Sequence, residues 1–184
     1  MNRLRSFARK EVARSLIQIN DVIRSVLRIA EVDSRCSDAP ICLELSSEVS
    51  VTAADKTLIE QVVLNLVMNA MEAMEGFPRD QRKMRIKTYQ DAEYIHVAVS
   101  DFGPGLDAKI AARVFEPFFT TKPEGMGMGL SLTRSIIEAH GGRLWAQNEP
   151  SRGATFEFTL PLQEHVSDAD GRASYGYRPD GIYS

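Results

Sequence analysis

Wound as a helix at about 100° per residue, residues 56–74 bring Gln61, Asn65, Asn69 and Glu72 within about 40° of one meridian. Ile59, Val62, Val63, Leu66, Val67, Ala70 and Met74 fill the other side. Asparagine is a poor helix-interior residue, because its short amide competes for backbone hydrogen bonds. Two of them one turn apart on a single stripe therefore need a reward. Amide and carboxylate oxygens suit Mg²⁺, a hard cation that keeps several waters and takes further ligands from substrate phosphates. The competing reading is that both amides face solvent.

Two glycine-containing segments carry complementary chemistry. In DFGPGL (101–106), Asp101 ends an apolar run, and its carboxylate suits an exocyclic amine donor. Gly103 and Gly105 allow positive φ and close approach of backbone to a flat ligand, although an aspartate and glycines around Pro104 also make an ordinary turn. Further on, Gly125, Gly127 and Gly129 run into the start of a helix, where free amides and the helix dipole favour an anion. The pattern is not a dinucleotide fingerprint, since Leu130 stands at the third glycine position and no strand precedes it. Nor is it a Walker A loop, because no Gly-Lys-Ser/Thr occurs. Thr120, Thr121 and Lys122 lie just before it, placed to close over phosphates; the bland alternative is a flexible loop carrying an idle lysine.

These residues need elements to hold them. Asn20 is a candidate N-cap for an amphipathic helix over 20–35, carried by Val22, Ile23, Val26, Leu27 and Ala30. ICLEL (41–45) alternates as a strand, and Asp55 precedes the long helix, which GFPRD breaks. MRIKTYQ and EYIHVAVSD read as two strands with a tight polar turn, Ile95, Val97 and Val99 on one face and Tyr94, His96 and Ala98 on the other. A short helix over 108–114 follows, then a helix over 130–140 closed by Gly141 and Gly142. GRLWAQN and GATFEFTLPL make a final strand pair. The basic opening residues place Leu4, Phe7, Ala8 and Val12 at helical spacing, as the last turns of an earlier helix do. The sum is an α+β two-layer sandwich, a mixed, mostly antiparallel sheet with helices on one face. The expected organisation is a helix end or linker over 1–14, one domain over 15–162 and a disordered polar tail over 163–184.

At 184 residues and 43% hydrophobic composition the chain suits one domain. A net charge of -3 gives no broad footprint for nucleic acid or an anionic membrane surface. Cys36 and Cys42 show no CxxC spacing and no secretory segment precedes them, which argues against a disulfide framework or a thiolate metal site. No apolar run reaches the roughly 18 residues of a membrane span. The expectation is a cytoplasmic domain without nucleic-acid partner or membrane insertion of its own, whatever anchors a parent protein.

Taken in order and spacing, the segments closely resemble the nucleotide-binding boxes of the GHKL ATPase superfamily, which includes gyrase-type ATPases, a heat-shock chaperone class, mismatch-repair ATPases and histidine kinases. EQVVLNLVMNAMEAM resembles the N box of the histidine kinases, DFGPGL their first glycine box, VFEPFFTTK their F box and GMGMGLSLTRSIIEAHGG their second glycine box. The ending GATFEFTLPL is also similar, and the resemblance covers residues 20–162. NAMEAM, FFTTK and the very short lid are most like the subgroup attached to PAS sensor modules.

That resemblance implies the Bergerat ATP-binding fold with ATP and Mg²⁺ as ligands. It implies that Asn69 coordinates Mg²⁺, that Asn65 supports the same site, and that Asp101 accepts from the adenine amino group with Thr155 helping through water. Gly103 and Gly105 would shape the adenine pocket, Gly127, Gly129 and Leu130 would line the phosphate end, Phe118 and Phe119 would anchor the lid, and Lys122 would reach the terminal phosphate. Asn65 and Lys122 are then the candidate catalytic pair.

Glu72 departs from the family, since many relatives have lysine there, and Phe102 replaces a usual polar residue. Asn65 stands where the hydrolase branches carry a glutamate general base, and an amide cannot take a proton from water. This favours transfer to a protein nucleophile. None of the three histidines qualifies as phosphoacceptor: His96 sits in a strand, His140 precedes a diglycine and His165 lies in the polar tail. RLRSFARK resembles the end of a second dimerisation helix, so the chain is expected to start just after the phosphoacceptor hairpin. The implied partner is the dimerisation domain of the same kinase and, indirectly, a response regulator. The alternatives are a nucleotide-binding regulatory module without phosphotransfer and an anti-sigma-type serine kinase, the latter disfavoured by NAMEAM and FFTTK.

Overall fold

The computed structural model describes residues 14–30, 40–121, 125–149, 152–162, 165–167 and 173–175. The expected helix end before residue 14 lies outside them. β1 (Ser15–Gln18) runs straight into α1 (Ile19–Ala30), followed by β2 (Ile41–Leu45), β3 (Val51–Ala54) and α2 (Lys56–Ala73). β4 (Met84–Gln90) and β5 (Tyr94–Asp101) form the expected hairpin, then come α3 (Ala108–Ala111), α4 (Gly129–Ala139), β6 (Leu144–Asn148) and β7 (Ala154–Pro161). β8 (His165–Ser167) and β9 (Ala173–Tyr175) pair antiparallel within the stretch read as a tail.

The main sheet has the order β2-β4-β5-β7-β6, with β2 parallel to β4 and every other neighbour antiparallel. β1 pairs with β3 in a separate antiparallel ribbon. The core joins Ile95, Val97, Val99, Phe156, Phe158 and Leu160 to the apolar arcs of α1, α2 and α4, so the helices share one face of the sheet. The mixed α+β sandwich expected from the sequence is the one observed. Each fully buried side chain such as Val63, Leu66 or Phe158 contributes about 1.5–3 kcal/mol relative to exposure.

α2 begins where the sequence expects, with the Asp55 carboxylate accepting from Leu58 N at 3.2 Å. Its buried residues are Ile59, Val62, Val63, Leu66, Val67 and Ala70 of the apolar arc plus Met71, and Met74, the last of the arc, is buried as the C-cap. Asn20 is not an N-cap. It lies inside α1, buried, donating through Nδ2 to Ser46 O at 2.8 Å and accepting through Oδ1 from Thr88 Oγ1 at 2.9 Å. The amide thus ties the helix to the sheet, a tertiary use that local spacing does not reveal. α3 is shorter than the seven residues of periodicity suggest, because single turns from Ile110 and Arg113 replace continued helix.

α4 ends at His140, whose ring is buried between two backbones. Nδ1 donates to Ile136 O at 2.7 Å while Nε2 accepts from Asp55 N at 3.1 Å, an arrangement that requires the neutral imidazole. Burial pushes its pKa below the ordinary histidine value. The end of α4 is thereby joined to the start of α2. No helix among the described residues is long and apolar enough to cross a membrane.

Candidate nucleotide site

The amides of α2 do not face open solvent. Asn65, Asn69 and Glu72 are each half-buried, and Asn65 faces α4. Asn65 Nδ2 donates to Thr133 Oγ1 at 2.9 Å, and that hydroxyl donates in turn to Gly129 O at 2.9 Å. A Cβ on Gly129 would stand 2.7 Å from Asn65 Oδ1, so any larger residue at the start of α4 would push the Asn65 amide out of its present position. Leu64, Met68, Leu132 and Ile136 continue the seam on either side of Asn65 and Thr133 and line a cavity of about 290 Å³.

The segment before α4 folds back on itself. Phe118 N donates to Gly127 O at 2.9 Å, and a Cβ on Gly127 would lie 2.5 Å from Phe118 C. Both residues have φ of 65°, which glycine adopts freely and phenylalanine does not. The chain is pinched at these two residues, closing a short lid. Phe118 is 76% exposed, whereas Phe119 packs beneath the Arg113 guanidinium, 4.5 Å from its ring centre. Lys122 lies outside the described residues.

At the other end Asp101 closes β5, buried. Oδ1 accepts from Gly103 N at 2.8 Å and from Ala154 N at 3.4 Å. Burial pushes this carboxyl above the usual aspartate range, against the pull of those amides. A Cβ on Gly103 would come within 2.9 Å of Ala73 O, and one on Gly105 within 3.0 Å of Asn148 Oδ1. The loop is therefore seated against the last turn of α2, one turn beyond Asn69. Asn148 holds its far side, accepting from Leu106 N at 2.7 Å and donating to Leu106 O at 2.8 Å.

Asn65 on α2 meets Gly129 at the start of α4, and Gly103 meets the last turn of α2 at Ala73; Asp101 and Gly105 belong to the same loop as Gly103, and Gly127 to the pinch before α4. Leu130 is half-buried and packs against the core. Thr155 is the correction. It pairs with Ser100, and its Oγ1 meets Ser100 Oγ at 2.6 Å and donates to the Glu149 carboxylate, which Arg85 also approaches at 3.5 Å. These groups occupy the sheet face opposite Asp101 and the helices. Strand alternation decides this: Ala154, one residue earlier, takes the helix-facing position, and its amide rather than a hydroxyl reaches Asp101. The sequence reading also missed Thr133 and Asn148. A hydroxyl one turn into α4 facing the Asn65 stripe was the available signal for the first; Asn148 acts across strands and left none.

Amide oxygens on one helix and free amides at the start of another suit a hydrated cation held between protein and phosphates. Among the described residues no three His, Cys, Asp or Glu side chains converge, so such a cation would take its remaining ligands from phosphate oxygens and water.

Residues 54–164 match the sequence profile of the histidine kinase-, DNA gyrase B- and HSP90-like ATPases. The chain belongs to that ATPase family. Within it, the catalytic domain of the histidine kinase ThkA has 36% identity and a TM-score of 0.71, covering 80% of this chain and 95% of that one. ThkA in complex with the response regulator TrrA gives 34% identity and 0.68, covering 80% and 41%. Full-length ShkA in complex with AMPPNP gives 26% and 0.71, covering 84% and 32%. Sensor protein FixL of Bradyrhizobium diazoefficiens is 40% identical over 167 residues, 89% of this chain and 32% of FixL. The chain therefore corresponds to the catalytic domain of a histidine kinase and spans about a third of that longer relative.

Proposed function

We propose that this domain binds Mg²⁺–ATP and delivers the γ-phosphoryl group to a histidine on the dimerisation domain of the same kinase, from which a response regulator is served. The carrying observation is Asn65. Its amide is fixed by Thr133 and Gly129 at the position where hydrolytic members of the family keep a general base. An amide oxygen orients but does not deprotonate water, which leaves transfer to an incoming nucleophile as the productive route.

The base is held by Asp101, whose Oδ1 is engaged by two backbone amides and whose other oxygen accepts the adenine amino group. Asn69 and Asn65 would hold the metal, which supplies charge neutralisation on the phosphates. The start of α4 orients the same phosphates through its backbone amides, and Lys122 closes on the terminal one. Phe118, Met126, Met128 and Leu132 expose an apolar surface around the lid, which suits the helix carrying the acceptor histidine. The site so contributes positioning and charge, the two things phosphoryl transfer needs.

The test is the chain mixed with a purified dimerisation domain of its parent kinase and γ-labelled ATP. Acid-labile label on the acceptor is expected, and Asn69→Ala should abolish it. Tight ATP binding with no label on that acceptor would replace this reading with a nucleotide-binding regulatory module, and acid-stable label would point to a serine kinase.

A further inference from the structure

Three consecutive residues before and at the start of β7 brace the DFGPGL loop from outside. Ala154 N reaches Asp101 Oδ1, and Gly153 packs so tightly on Asp101 O that no side chain fits between them. Arg152 takes the third contact, donating through Nε to Gly103 O at 3.3 Å. Its guanidinium also lies 4.0 Å from the Phe77 ring centre and donates through Nη1 to Gln81 Oε1 at 3.2 Å. Phe77 is in turn held by Arg82, whose Nε donates to Phe77 O at 2.8 Å and Nη2 to Glu75 O at 2.9 Å. One planar cation thus joins the segment after α2 to the loop after β5.

Gly103 is the hinge of this arrangement. Its amide donates to the Asp101 carboxylate, while its carbonyl receives Arg152. The carbonyl that receives Arg152 and the amide that donates to the carboxylate are thus the two ends of a single residue.

We propose that Arg152 is a positioning residue for the nucleobase: stacked on Phe77 and bonded to Gly103 O, it holds the Asp101–Gly105 loop in the shape that receives adenine. The proposal rests on Asp101 being the acceptor for the base. Among the described residues the contacts of Arg152 are with Gly103, Gln81 and Phe77, away from Asn65, Gly127 and Gly129, so its effect is expected on the base. Lysine is a poor replacement, since it lacks the planar face that lies on Phe77.

The experiment measures three ligands on the 184-residue chain with Mg²⁺: ATP and adenosine directly, and inorganic tripolyphosphate as a competitor of ATP. Arg152→Ala should weaken ATP and adenosine by the same factor, about tenfold for one stacked cation and one charged hydrogen bond, and leave tripolyphosphate unchanged. Arg152→Lys should fall between. In phosphotransfer the KM for ATP should rise with kcat retained. Unchanged adenosine affinity overturns the proposal, and so does an equal loss for tripolyphosphate, which would mean general loosening. Asp101→Asn run in parallel separates the two layers. If it leaves ATP binding intact, the base assignment itself fails; if it abolishes binding while Arg152→Ala is silent, only the role of Arg152 fails.

Discussion

Asn65 and Thr133 are joined across the seam of α2 and α4 by a hydrogen bond of 2.9 Å, and the same hydroxyl is anchored to Gly129 O. This short relay fixes the orientation of the amide: Nδ2 is committed to Thr133, so Oδ1 is presented towards Gly129 and the start of α4. Thr133→Val keeps the shape and deletes the relay. The expected result is a loss of about 1–2 kcal/mol in stability, from leaving a half-buried amide without its partner, and a roughly tenfold slower phosphotransfer with smaller change in ATP affinity. Urea denaturation and single-turnover transfer measure the two.

Gly127→Ala tests the pinch of the lid. The new methyl would meet the Phe118 backbone at 2.5 Å and would require alanine at a φ of 65°. The backbone strain, about 1–2 kcal/mol if retained, is relieved by displacement of Phe118 and opening of the pinch. Nucleotide affinity should fall several-fold while the urea midpoint moves little, because the lid adds few core contacts. A fluorescent ATP analogue reads the affinity.

Thr155→Val bears on the corrected residue. With its hydroxyl turned to Ser100 and Glu149 on the far sheet face, its removal should leave ATP affinity within about twofold and cost about 1 kcal/mol of stability. A tenfold loss of ATP affinity would return Thr155 to the adenine pocket.

What the sequence made legible was whatever has a local period or a local sequence signal. The stripe of Asn65 and Asn69 against the apolar arc of α2, the Asp55 cap and the alternation of β5 all appear in the structure where spacing puts them. The departures share a cause. Asn20 acts on Ser46 and Thr88, and Asn148 on Leu106, partners 26 to 68 positions away in the chain that no local pattern names. Thr155 failed for a narrower reason: a one-residue offset along a strand exchanges one sheet face for the other, and only the register Ser100↔Thr155 settles which face is which.

His140 gives a pH dependence of defined sign. Its folded pKa lies below the ordinary 6.5 because burial penalises the charged ring, and the neutral ring accepts from Asp55 N. The unfolded chain takes up the proton first as pH falls. Stability contributed here is therefore complete above about pH 6.5 and is lost progressively below it, towards the folded pKa. His140→Gln offers a donor and an acceptor that do not titrate, so the slope of stability against pH in that window should flatten. An unchanged slope by urea titration at several pH values would assign the dependence to another group.

Asp101 has the opposite sign and links stability to function. Burial raises its folded pKa above 3.8, so its favourable contribution is complete below that value and is lost as pH rises through the folded pKa. At neutral pH the ionised carboxylate is thus retained at a cost to the fold. Asp101→Asn keeps an Oδ1 for Gly103 N and Ala154 N but carries no charge to desolvate. The variant should melt higher than the parent chain at pH 7, with the gap closing as pH falls towards 4. Its affinity for ATP should drop about 10- to 100-fold, the contribution of a hydrogen bond to a charged acceptor. Calorimetry across pH measures the first effect and isothermal titration with ATP the second. A variant that is both more stable and unable to bind would identify Asp101 as a residue kept for the ligand, and one that is less stable at pH 7 would show that the carboxylate serves the fold.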